Sequence, residues 1–239
     1  MRALHYHRVD ISQPYEDSMH IPSQAPLHLL HHVAEGTLAT HSREPEGFPY
    51  PTALPFALTA KHLPMLLISR LAEHTRNLQA NAQAGFLVAH AGHGDVLEGQ
   101  RLTMLGAFSP AAPEESDRLA RRYLRYHPQA ARYLELGDFS FWVMKLARMR
   151  YIGGFGAMGW LGEDQLDPLE PLSYDDESSL CEYFDAYPGR PAGTRLMGID
   201  RYGCDLQHED CRNRFTFDKP KETRNELKLA LIDCFERNV

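Results

Sequence analysis

Between Thr37 and Ile152 short apolar runs recur, each closed by turn-forming residues, and this rhythm restricts the chain to a compact β-architecture. The runs are Thr37 to Thr40, Pro51 to Thr59, Met65 to Ile68, Gly85 to His90, Arg101 to Gly106, Phe139 to Met144 and Arg148 to Ile152. Between them stand Arg43-Glu44-Pro45-Glu46-Gly47, Lys61-His62-Leu63-Pro64 and Gly92-His93-Gly94-Asp95. Runs of this length bounded by such residues read as strands and turns. Pro51 and Pro55 cannot donate to a ladder, so their strand belongs at an edge or bulge. Two helical patterns interrupt the strands, from Leu71 to about Asn81 and from Pro113 to Tyr126. Many short strands with two inserted helices predict a small closed or split β-barrel. Such barrels hold ligands in their mouths or at dimer seams.

The pattern changes after Gly162-Glu163-Asp164-Gln165-Leu166-Asp167-Pro168, which reads as a linker. A helix is predicted over Asp175 to Tyr187. Short strands follow at Arg195 to Asp200, Gly203 to Gln207 and Arg214 to Phe217, and a helix over Glu222 to Glu236 closes the chain. The expected fold class is therefore α+β: a split barrel with inserted helices over residues 22–165, and a small α-β-β-β-α domain over 166–239. Residues 1–21 are polar and His-rich and read as a lead-in.

A formal net charge of −7 over 239 residues argues against nonspecific binding to nucleic acid or anionic membrane. No run approaches the roughly 18 apolar residues of a membrane span, and the first residues lack the apolar core of a secretion signal. Cys181, Cys204, Cys211 and Cys234 form no Cys-x-x-Cys pair and read as free thiols of a cytoplasmic protein.

The densest chemistry lies where Leu66-Leu67-Ile68-Ser69 meets Arg70-Leu71-Ala72-Glu73-His74-Thr75-Arg76-Asn77-Leu78. A strand enters a helix there. The free N–H groups and dipole of a helix start suit a phosphate, and Ser69, His74, Thr75 and Arg76 crowd that start. An ordinary strand-to-helix turn explains the same residues. His28, His31, His32 and Glu35 are predicted on one helix, with His28, His32 and Glu35 sharing a face. That spacing suits either a polar face or a metal. Cys204, His208 and Cys211 read as a turn between strands or a metal cluster. Arg118, Arg121, Arg122 and Arg125 are expected to form a solvated face with intrahelical pairs.

Several of these segments carry a resemblance. His32-Val33-Ala34-Glu35-Gly36-Thr37-Leu38-Ala39-Thr40, the Leu71 to Leu78 segment, Arg101-Leu102-Thr103-Met104-Leu105-Gly106 and Arg150-Tyr151-Ile152-Gly153-Gly154-Phe155-Gly156 resemble the flavin-binding split-barrel family typified by pyridoxamine 5′-phosphate oxidase. Gly198-Ile199-Asp200-Arg201-Tyr202-Gly203-Cys204-Asp205-Leu206 is similar to the second domain of the two-domain, HugZ-like haem-utilisation branch. The resemblance spans about residues 22–239. It implies a homodimer with FMN at the subunit interface, the flavin phosphate held by Ser69, His74, Thr75 and Arg76, and Arg101 against the flavin. Two departures stand out. Thr52-Ala53-Leu54-Pro55 replaces a basic residue of the oxidases, and no histidine follows His208, whereas the haem-degrading relatives carry one near the C-terminus.

Three functions are consistent with this sequence. The first is an FMN-binding oxidoreductase of unknown substrate, with no assigned acid or base. The second is a haem-binding or haem-degrading protein, ligated by His208 or by a histidine of the helix near Leu27. The third is a dimeric binding module without a cofactor.

Overall fold

The computed structural model describes residues 21–22, 24–90, 98–154, 157–209 and 211–238. The predicted lead-in up to residue 20, the Gly92 to Asp95 loop and Phe155-Gly156 lie outside the described residues. In chain order the elements are α1 (Ala25–His32), β1 (Glu35–Arg43), β2 (Glu46–Pro55), β3 (Ala57–Leu58), β4 (Pro64–Ser69), α2 (Glu73–Ala80), β5 (Gln83–His90), β6 (Gln100–Pro110), α3 (Ser116–Tyr126), α4 (Ala131–Leu134), β7 (Phe139–Ile152) and β8 (Met158–Leu161). Then come α5 (Glu163–Leu166), α6 (Tyr174–Asp185), β9 (Thr194–Asp200), β10 (Gly203–His208), β11 (Cys211–Thr216) and α7 (Arg224–Asn238).

Strands β2-β1-β5-β6-β7-β4-β3 form one curled sheet, with β8 paired to β7, and β11-β10-β9 form a second. This is the α+β split-barrel architecture with a small second sheet and its helices. The proline-bearing strand β2 lies at the edge of the large sheet, where missing N–H donors cost no ladder bonds. Along β1 burial alternates strictly: Leu38, Thr40 and Ser42 face inward, while their neighbours are exposed or half-exposed. Period-two burial of this kind lets one face of the sheet pack a core. Leu38, Phe86, Met104 and Met149 meet there, each fully buried. Each such side chain contributes about 1.5–3 kcal/mol by leaving water.

The two expected strands Phe139 to Met144 and Arg148 to Ile152 are a single 14-residue strand, β7. Its register against β6 shifts between Leu105 and Gly106, so Ala147 is the extra residue of a bulge. Bulges bend and twist a sheet, which curls this one. A side chain at Gly106 would bring its Cβ 2.3 Å from the Lys145 carbonyl oxygen, so glycine is required at the bend.

The expected linker is also more structured than its composition suggests. Gly162 caps the one-turn helix α5, Leu166 is buried in the barrel core, and Asp167 is tied to His62 and Tyr202. Apolar burial of one residue overrides the loop-like composition around it.

Candidate functional site

The predicted phosphate turn folds as a strand entering a helix. Ser69 ends β4, and His74, Thr75 and Arg76 lie in the first turns of α2. The Thr75 hydroxyl and His74 Nε2 are both buried without a hydrogen-bond partner. Burial holds the His74 pKa below its ordinary value. Two carboxylates share this corner. The Ser69 hydroxyl donates to Asp138 and accepts from the Leu71 N–H at 3.0 Å, while Arg76 lies 3.8 Å from Glu73 on the exposed side. Asn77 anchors α2 to the barrel: its Nδ2 donates to Thr40 at 3.0 Å, and its Oδ1 accepts from the Arg43 N–H. Arg101 is not beside this turn along the sheet. Ser69 pairs with Phe139 and Arg101 with Ile152, opposite ends of β7.

The arginines of α3 depart from the expected solvated face. Arg118 does pair within its own stretch, with Glu115 at 3.1 Å. Arg122 instead is buried against Glu177 of α6 and donates to the Leu58 carbonyl at 2.6 Å. Arg125 reaches Glu177 at 2.6 Å and the Met197 carbonyl at 2.9 Å. Tertiary packing has turned two of the four arginines of an amphipathic helix into a clamp between the barrel and the second sheet.

A larger polar cluster fills the rest of that seam. His31, the last buried residue of α1, lies 2.7 Å from Asp205 through Nδ1 and 2.9 Å from His62 through Nε2. His62 Nε2 lies 3.2 Å from Asp167, which also accepts from the Tyr202 hydroxyl. Arg214 bridges Asp200 and Asp205, and its Nε donates to His28 at 3.1 Å. Tyr126 donates to Asp205 at 2.7 Å. Burial and the Arg214 charge push His28 down to about 4 and His31 to about 3, so both rings are neutral near pH 7. Burial opposes ionisation of Asp200 and Asp205. The Arg214 charge outweighs it at Asp200, and the same charge with a hydrogen bond from the neutral His31 outweighs it at Asp205, so both stay charged.

Beside this cluster lies a cavity of about 290 Å³, lined by His28, Leu29, His32, His90, Gln100, Arg214 and Thr216. The His32 and His90 rings meet edge to face with centroids 4.4 Å apart. Burial, then His90 and Arg212, lower the His32 pKa, which leaves a neutral imidazole with a free lone pair. A second depression of about 440 Å³ lies on the barrel's outer face, where His41, Gly85, Leu105 and Lys145 contribute. Leu87 and Leu105 are each about 40% exposed on that face.

Glu35 leaves the predicted histidine helix face, because α1 stops at His32 and Glu35 opens β1. Cys204 is buried four residues along β10 from exposed His208, which instead faces the Thr194 hydroxyl at 3.0 Å. No disulfide joins the cysteines among the described residues. The sequence reading missed His62, Asp167, Asp205 and Arg214 as site residues. The one local signal was the pair of acids flanking the β9–β10 turn, Asp200 and Asp205.

Residues 23–167, more than half of the chain, match the family described as CREG, beta-barrel. The chain is 32% identical over 226 residues to the non-canonical heme oxygenase HOZ, chloroplastic, of Arabidopsis thaliana, spanning 84% of this chain and 68% of that protein. Among solved structures, the protein Atu2129 of unknown function from Agrobacterium tumefaciens superposes with a TM-score of 0.71 at 22% identity, over 90% of this chain and 99% of that one. A heme binding protein from Mycobacterium smegmatis superposes with a TM-score of 0.59 at 24% identity, over 90% and 96%. Among the described residues no helix is long and apolar enough to cross a membrane. The split barrel and the match along it make this chain a member of the CREG beta-barrel family.

Proposed function

We propose that this protein binds haem and degrades it, as a member of the haem-utilisation branch. The observation that carries this reading is kinship along most of the chain with a protein named a haem oxygenase. The imidazole-lined cavity, at about 290 Å³, would not enclose a whole macrocycle but would present its histidines to a haem lying across its mouth. His32 or His90 would ligate iron, and Leu29 would contact the apolar macrocycle edge. A neutral His32 is the protonation state that ligation requires. Haem here is the substrate, and its iron is where dioxygen would be activated.

Hemin titration of the full chain should give a Soret band saturating at one equivalent. His32→Ala or His90→Ala should weaken binding at least tenfold. Unchanged binding in the double variant, or no band at stoichiometric hemin, would remove this reading. With ascorbate as reductant, the band should then decay as chelatable iron appears.

A second reading, FMN binding, is favoured by the orphaned Thr75 hydroxyl and His74 Nε2 at the start of α2. Asp138 and Glu73 weigh against it, because a phosphate dianion would have to approach two carboxylates. Loss of a stoichiometric flavin absorbance on Arg76→Ala would support it, and a colourless protein that ignores added FMN would end it. Since Ser69 and Arg101 sit at opposite ends of β7, an FMN site using both would draw them from two copies. The exposed Leu87 and Leu105 face suits such a homodimer. Light scattering of Leu105→Glu tests it: a dimer should fall to monomer.

A further inference from the structure

His31 and His62 each have one ring nitrogen claimed by a carboxylate. Asp205 lies 2.7 Å from His31 Nδ1, which fixes the proton of that neutral ring on Nδ1. Asp167 lies 3.2 Å from His62 Nε2 and fixes its proton there. With one proton on each ring, the remaining nitrogens, His31 Nε2 and His62 Nδ1, would carry lone pairs, and they face each other at 2.9 Å. Asp200 Oδ2 points to the same spot, 3.3 Å from His31 Nε2. That oxygen is buried and accepts no well-formed hydrogen bond, although Arg214 stands 2.9 Å away. The other Asp200 oxygen is fully occupied by the Tyr202 and Gly203 N–H groups and Arg214. Three buried side chains that can each offer an electron pair thus converge, all three atoms within 4.8 Å of one another.

We propose that His31, His62 and Asp200 form a binding site for a divalent first-row transition metal ion that joins the barrel to the second sheet. The donor set is two imidazoles and one carboxylate, which suits iron, zinc or nickel better than magnesium or calcium. The 2.9 Å separation of the nitrogens is close to the roughly 3.0 Å edge of an octahedron with bonds of about 2.1 Å, as in a facial triad. Asp205 and Asp167 take the place that carboxylates hold behind metal-bound histidines, orienting each ring and raising its basicity. Charge agrees in sign. Asp200 and Asp205 pair with the buried Arg214, Asp167 lies against His62, and Arg212 stands at the rim, so three carboxylates face two arginines. His31 comes from α1, His62 from the β3–β4 turn and Asp200 from the end of β9. The ion would therefore be enclosed as the two sheets dock, and it would tie them.

One extra proton shared between the two rings would relieve the same lone-pair clash, and the experiment must separate proton from metal. The full chain is prepared free of haem, without a histidine tag, with His5, His7 and His20 changed to Ala so that the His-rich N-terminus cannot bind. After EDTA treatment it is titrated with Co²⁺. The expected result is one equivalent bound per chain, visible d–d bands and a raised melting temperature, with binding at least about tenfold weaker in His62→Ala and in Asp200→Asn. No uptake and no thermal shift would overturn the site in favour of the shared proton. Uptake undiminished in both variants would overturn it too. Should the variants fail to fold, X-ray absorption of the Co²⁺-loaded parent decides: two imidazole scatterers uphold the site, and fewer reject it.

Discussion

The barrel interior and the seam between the two sheets are both buried, yet they are built in opposite ways. The interior is packed from Leu38, Phe56, Phe86, Met104, Phe108 and Met149, whose contacts are non-directional and tolerate one another's shapes. The seam is built from Arg122, Glu177, His31, His62, Asp200, Asp205 and Arg214, all held by paired charges and directed hydrogen bonds. An apolar core supplies stability roughly in proportion to area. A buried ion pair supplies little net stability, because desolvation offsets attraction, but it penalises every arrangement in which one partner is missing. The barrel is therefore where this fold is stabilised, and the seam is where the position of the second sheet is specified.

The largest effect that tests this contrast is Glu177→Ala. It strands Arg122 and Arg125 opposite an empty site, and it should cost about 3–5 kcal/mol in urea unfolding. A loss below 1 kcal/mol would mean that the seam does not depend on pairing. In the barrel, Leu38→Ala should cost about 2–5 kcal/mol through lost transfer energy and a cavity. Raised salt should leave that loss unchanged, because no charge is involved.

Acid should act through the seam. His28 is held at about 4 by burial and Arg214, below the value near 6.5 of the unfolded chain. The unfolded state takes up the proton first as pH falls, so this contribution is complete above about pH 6.5 and is lost progressively toward pH 4. At pH 5 the loss from His28 should be about 1–2 kcal/mol, and His28→Asn should flatten the dependence. A pH profile unaltered by that change would place the acid sensitivity elsewhere. The smallest effect lies outside both regions. Ser173 caps α6 by accepting from the Asp176 N–H, and Ser173→Ala should cost about 1 kcal/mol by thermal melting.

What the sequence by itself determined is local. Short apolar runs closed by turn residues, as in Thr37 to Thr40 and Gly85 to His90, and the alternation of Phe139 to Met144 were enough to assign strands, because side chains on a strand alternate faces every residue. Pro51 and Pro55 announced an edge because proline has no N–H to give. Acids before Arg118 to Arg125 marked a helix, since charge order along a helix is read by its own dipole. The Ser69 to Arg76 turn was recognisable as strand into helix, whereas its Asp138 neighbour, 69 residues away from Ser69, was not. The tertiary structure alone decided which histidine counted. His28 and His32 stood out by spacing, but α1 turns His31 inward to meet Asp205, 174 residues later in the chain. It likewise took Arg122 and Arg125 from the solvent to Glu177, and Leu166 from a linker into the core. Periodicity reports what neighbours along the chain do to one another. A buried charge is legible only with its partner, and here the partners arrive from the other sheet.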